Sequence, residues 1–136
     1  AGCSRHERAG PLPSAHPGAL CAEGGPVSAP PLLVVTTVGT LDDARRIART
    51  LVEQRLAACA QITPIESFYR WQGQVEHAHE YRVLLKTRAE RWPDVEAAIR
   101  ALHGYALPAI HAIATTHAHA PYAEWVHDSS GPSPGP

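Results

Sequence analysis

The chain predicts an α+β fold of the split β-α-β kind, with the order β-α-β-β-α-β and a short helix added at the C-terminal end. Three observations carry this. Nine of the 13 prolines and seven of the 10 glycines lie in residues 1–31 or 131–136, so the segment between them is almost free of both. Within that segment the apolar spacing alternates between strand and helix periods. The two longest strand patterns are joined by Gln72-Gly73, a two-residue turn signal, and flanked by two helical patterns.

Leu32 to Val38 is a β-branched apolar run of strand length, and its unbroken apolar character places it mid-sheet, covered on both faces. Thr40-Leu41-Asp42-Asp43 then resembles a capping box. Leu41, Ala44, Ile47 or Ala48, Leu51 or Val52, and Leu56 follow at helical spacing, with Asp42, Arg45, Arg46, Arg49 and Glu53 on the outer face and Asp42 four residues before Arg46. From Ala58 to Trp71 the period becomes two, interrupted by Pro64, which marks an edge or a bulge. Ile65, Ser67, Tyr69 and Trp71 point one way, while Glu66, Phe68 and Arg70 point the other. Val75 to Lys86 is the returning strand. Thr87-Arg88-Ala89-Glu90 offers a second capping box, and Trp92, Val95, Ile99 and Leu102 form the stripe of a helix reaching His103. Ile110 to Thr115 reads as the last strand and Pro121 to His127 as the terminal helix.

At 136 residues the chain has the length of one domain. The segment 32–128 is that domain, while 1–31 and 129–136 read as a disordered head and tail, because scattered apolar residues cannot offset chain entropy. Twelve Lys+Arg against 13 Asp+Glu leave a formal charge of -1, which removes the electrostatic footprint of a nucleic-acid or anionic-membrane partner. Three cysteines, at positions 3, 21 and 59, do not make a disulfide framework and fit a reducing compartment, the cytoplasm. No apolar run approaches the ~18 residues of a membrane span. Crossover helices cover one sheet face, and a second face bearing Phe68, Trp71 and Tyr81 predicts a homo-oligomer.

Nine histidines make metal the first chemistry to consider. His77 and His79 stand two apart on a strand, so both rings project from one face and can share one ion. His103 ends the second helix, where a cation meets the negative end of the helix dipole. Cys59 sits at a helix-to-strand junction, the place of a small buried hydrophobe. There is no Gly-rich phosphate loop, no CxxC pair and no G-x-S-x-G, so the chain is expected to be no enzyme.

Four stretches, Arg55-Leu56-Ala57-Ala58-Cys59, Phe68 through Glu76, Leu84-Leu85-Lys86-Thr87 and Leu102 through Ile110, closely resemble the CutA divalent-cation tolerance family. The likeness runs through residues 32–127 in order and register. It implies a ferredoxin-like fold, a homotrimer whose long hairpins pair between subunits, and tolerance of copper and other divalent ions bound through Cys and His. It places Trp71, Glu80, Lys86 and Tyr105 along an inter-subunit cleft and keeps His103 from the family's ligand set. Thr36 stands where some bacterial members have a strand Cys, Leu102 where some have a His, and Ala106 and Ala109 where acids are usual. His77 and His79 are then a local substitute for the lost ligands, with Cu(II) first and Zn(II) second. The other reading is a signalling or scaffold trimer, built like the PII proteins, whose clefts take a small anion or a protein partner through cations such as Lys86 and Arg82.

Overall fold

A computed structural model describes residues 28–132, so the expected disorder of the head up to residue 27 and of the tail from 133 lies outside the described residues. The elements are β1 (Leu32–Val38), α1 (Leu41–Glu53), β2 (Cys59–Trp71), β3 (Gln74–Thr87), α2 (Trp92–Leu102), β4 (Ile110–Ala114) and α3 (Ala120–Ser129). The four strands form one antiparallel sheet in the order β2-β3-β1-β4. This is the split β-α-β, ferredoxin-like arrangement, with β1 in the interior as its apolar run requires.

Local chemistry sets the element ends. Thr40 Oγ1 accepts the Asp43 N–H at 3.1 Å, which caps α1. Arg46 pairs with Asp43 at 3.3 Å, three residues away, rather than with Asp42. The helix stops at Glu53 because Arg55 turns into the left-handed region at φ 60, and the N–H groups of Leu56 and Ala57 fold back on the Leu51 carbonyl. Arg55 is held there by its own side chain: Nε donates to the Gly131 carbonyl at 2.7 Å and Nη2 to that of Asp128 at 2.5 Å. These bonds, with one from Arg88 to the His127 carbonyl, tie down the end of α3. Packed chain therefore runs past residue 128: Ser129 belongs to α3, and Ser130 is fully buried with its hydroxyl on the Val126 carbonyl.

The second capping box does not form. Thr87 is the last residue of β3 and its hydroxyl donates to the Leu56 carbonyl at 2.8 Å, so a 3₁₀ turn over Ala89–Arg91 leads into α2, with Pro93 in the first turn. Gln72 (φ 51) and Gly73 (φ 80) make the tight β2–β3 turn. Pro64 sits on edge strand β2, opposite Tyr81, where its missing N–H interrupts nothing; the register runs on without a bulge.

The core lies between one sheet face and helices α1 and α2, built from Val34, Val38, Ile47, Leu51, Val83, Leu85, Val95 and Ile99. Tyr81 belongs to this side, packed against the core, and Phe68 shares it farther out on the arm; of the three residues expected on the open face only Trp71 lies there. The β2–β3 hairpin is longer than the helices that cover it, and its outer half leaves Phe68 (67% exposed) and Val75 (65%) in solvent. Leu51 is fully buried and Thr40 is exposed, so the two test different terms. In denaturant titrations Leu51→Ala is expected to cost about 2–5 kcal/mol and Thr40→Ala about 1 kcal/mol. The reverse order would contradict this account of the core.

Candidate metal centre

Antiparallel pairing sets Glu66 opposite His79 and Phe68 opposite His77. Directly paired residues share a face and alternate residues return to it, so all four side chains project from one side of the arm. Glu66, His77 and His79 bring one carboxylate oxygen and two imidazole nitrogens within 4.8 Å of one another. His77 Nε2 donates to Glu66 Oε2 at 2.7 Å. The His77 ring stacks on Phe68, with centroids 4.3 Å apart and planes 4° from parallel, and its centroid is 5.6 Å from that of His79. Phe68 thus fixes the plane of His77, with the tilted His79 ring as its second aromatic neighbour.

The donor set suits a transition metal. Ligands at about 2.0–2.2 Å from one ion stand about 3.4 Å apart in a tetrahedral shell. Closing from 4.8 Å needs only rotamer adjustments of exposed side chains. Two imidazoles with one carboxylate fit Cu(II) or Zn(II), and leave a position for water. The histidine pair was visible in the sequence; Glu66 was not singled out, because its approach depends on cross-strand register.

His103 stands elsewhere and is differently occupied. Its Nε2 donates to the Thr37 carbonyl at 2.8 Å and its Nδ1 accepts the Tyr105 N–H at 3.1 Å, so both ring nitrogens are spent on tying the end of α2 to β1. Ligation through either one would break a hydrogen bond that positions the following loop. Thr36, at the strand-Cys position of the resemblance, is fully buried on the helix side of the sheet. Burial pushes the Cys59 thiol up, against the smaller opposing effects of the Lys86 charge and the Tyr122 hydroxyl, which keeps it from being a ready thiolate ligand.

On the opposite face of the arm, Trp71, Glu80 and Tyr105 line one cavity of ≈ 910 Å³ together with Tyr69 and Leu107, and Glu66 and Phe68 of the cluster border the same cavity. The fourth expected cleft residue, Lys86, is not among them. It lies six residues along β3 from Glu80, about 20 Å at the rise of a strand, with its Nζ 5.5 Å from the Tyr122 ring centroid. Glu80 is 7% exposed and accepts the Tyr105 hydroxyl at 2.8 Å.

With this geometry in view, comparison with known proteins is direct. Residues 32–129 match the model of the CutA1 divalent ion tolerance proteins. The chain belongs to that family. The divalent-cation tolerance protein CutA of Thermus thermophilus is 39% identical over 100 residues, covering 73% of this chain and 97% of that protein. The Archaeoglobus fulgidus protein of the same description is 36% identical over 96 residues, covering 71% and 94%. Among solved structures, the periplasmic divalent cation tolerance protein CutA from Archaeoglobus fulgidus aligns with a TM-score of 0.73 at 35% identity, over 74% of this chain and 99% of that one. CutA from Synechococcus elongatus gives 0.73 at 34%, over 78% and 95%. The family assignment carries the relation to divalent cations, and among the described residues no helix is long and apolar enough to cross a membrane.

Loss of water around the Tyr105 hydroxyl, its hydrogen bond to Glu80 and the Glu80 charge push this phenol up to about 12 from its ordinary value of 10.0. A raised folded value means that the contact contributes fully below pH 10 and is lost as pH rises toward 12. An ultraviolet phenolate titration should show a component near 12 that disappears in Tyr105→Phe. An unchanged profile in that variant would contradict the Glu80 contact.

Proposed function

We propose that this chain is a cytoplasmic, homotrimeric divalent-metal-binding protein of metal-ion tolerance, acting by binding and without catalysing a reaction. The observation that carries it is the Glu66–His77–His79 cluster, three donors of the right chemistry gathered by strand register. Imidazole nitrogen selects Cu(II) or Zn(II) over Mg(II) and Ca(II), which prefer oxygen throughout their shells. His103 is then a structural residue, and a lone imidazole there would hold an ion weakly.

The trimer is supported by the bare arm. Phe68 and Val75 on one face of the arm and Trp71 and Leu107 on the other are each more than 40% exposed, apolar surface of the kind that closes against further copies. A reducing compartment accords with the free Cys59, although the solved relative from Archaeoglobus fulgidus is described as periplasmic. The rival reading, a signalling or scaffold trimer whose clefts bind a small anion, finds less support. Lys86 is engaged with the Tyr122 ring, and the buried charged group in the cleft is a carboxylate.

Calorimetry with zinc(II) and visible titration with copper(II) should show a site at His77 and His79 on the full chain. The His77→Ala/His79→Ala variant should lose at least about tenfold in affinity, the equivalent of 1.4 kcal/mol. His103→Ala should bind as the parent does. Equal binding by parent and double variant would remove the arm site, and loss of binding in His103→Ala alone would move the ligand set to the end of α2.

A further inference from the structure

The metal cluster draws its donors from both strands of the arm, Glu66 from β2 and His77 and His79 from β3. Between Glu66 and His77 the chain runs out to the turn and back, and little besides the backbone ladder holds this outer loop. The side chains that pack in or against the core end, on the arm, at Ile62 and Tyr81. Beyond them every residue from Phe68 to His77 is exposed within the chain. At the tip Gln72, with φ 51, holds a backbone conformation that L side chains rarely adopt. The Glu66–His77 hydrogen bond spans the two strands, but it is exposed and screened. Few buried apolar contacts and solvent-exposed ladder bonds put a segment at the low end of local stability. An ion held from both strands changes that balance. Opening of the arm parts Glu66 from the two histidines, so the open form loses the site that the closed form offers, and binding to the closed form alone suppresses opening.

We infer that an ion at Glu66, His77 and His79 is a clasp between β2 and β3, which converts occupancy of the site into order of the arm beyond it; this rests on the metal reading proposed above and gives that site a regulatory consequence. The division of the donors carries it. Three donors on one strand would leave the hairpin as free to open with the ion as without it. His77 and His79, two apart on β3, are such a one-strand pair by themselves, and Glu66 is the residue that makes the site a bridge. The stack of Phe68 on His77 holds the adjoining rung in the closed arrangement that the ion needs. Linkage sets the size of the effect. At free zinc about 100 times its Kd, openings that destroy the site are suppressed by about 100-fold. Fraying elsewhere, as at the ends of α3, leaves the site intact and keeps its rate.

Hydrogen exchange followed by mass spectrometry, on the full chain without metal and with zinc(II) at about 100 times the Kd measured on the same sample, tests the clasp. Ladder amides in residues 67–76 should slow by at least about tenfold and toward 100-fold, while the fraying ends of α3 stay as they were. Trypsin gives a second readout, because the Arg70–Trp71 bond lies in the clasped loop. Its cleavage should slow with the amides, while the rate of trypsin on a short peptide in the same zinc solution stays constant. Glu66→Ala is the deciding variant. Its two remaining histidines hold zinc more weakly, and loading it to the same saturation should leave its arm rates unchanged. Glu66 is exposed and outside the core, and the comparison of free and loaded parent needs no variant. Zinc binding by the parent without slowing of the arm, or protection that persists in Glu66→Ala, would overturn the clasp and leave the metal site standing. Absence of zinc binding by the parent would overturn both.

Discussion

The antiparallel register of β2 against β3 is the constraint on which the sites of this protein depend. Thirteen consecutive residue pairs, from Cys59 with Lys86 to Trp71 with Gln74, run without a bulge to a two-residue turn. Because side chains alternate, a slip of one residue would carry Glu66 away from His77 and His79 and turn Ile65 toward them. The same slip would take Glu80 from its place beneath Tyr105. Register is specified at the inner end, where Ile62, Val83 and Leu85 must face the helices and Leu51 and Ile99 fill the space above them. The buried half of the hairpin therefore sets the chemistry of the exposed half, some distance from the core that stabilises it.

The two faces of the arm present different electrostatic problems. On the helix side, beyond the reach of α1 and α2, Glu66 and His77 are both exposed, so their hydrogen bond is screened by water and contributes little to stability. Such a pair is easily rearranged around an incoming ion. On the other side Glu80 is buried, and the loop after α2 holds Tyr105 over it. That loop is anchored by His103, whose ring spans from the Thr37 carbonyl to the Tyr105 N–H. A residue that looked like a ligand in the sequence is instead the staple that closes the cleft.

Much of the fold was legible because its signals are local. The run Leu32–Val38, the Thr40 cap, the Gln72-Gly73 turn and the α1 and α2 stripes each follow from a few adjacent residues. Errors came where tertiary partners outbid local ones. Thr87 gave its hydroxyl to Leu56 instead of capping α2, Arg46 took Asp43 instead of Asp42, and Tyr81 went to the core side. At the sites, the spacing of His77 and His79 was visible, and the third donor was not, since Glu66 lies 11 residues from His77 and meets it only through pairing. Lys86 was grouped with Glu80 through family likeness, but strand rise separates them within one chain. The Tyr105–Glu80 bond, 25 residues apart in sequence, has no local signature at all.

X-ray absorption at the zinc edge tests the central claim most directly, because it reports which atoms the β2–β3 register gathers around an ion. Zinc-loaded protein should show a shell of nitrogen and oxygen at about 2.0–2.1 Å, with the scattering signature of two imidazoles. That signature should be lost in His77→Ala/His79→Ala. A sulfur shell at about 2.3 Å, or imidazole scattering that survives in the double variant, would contradict the account.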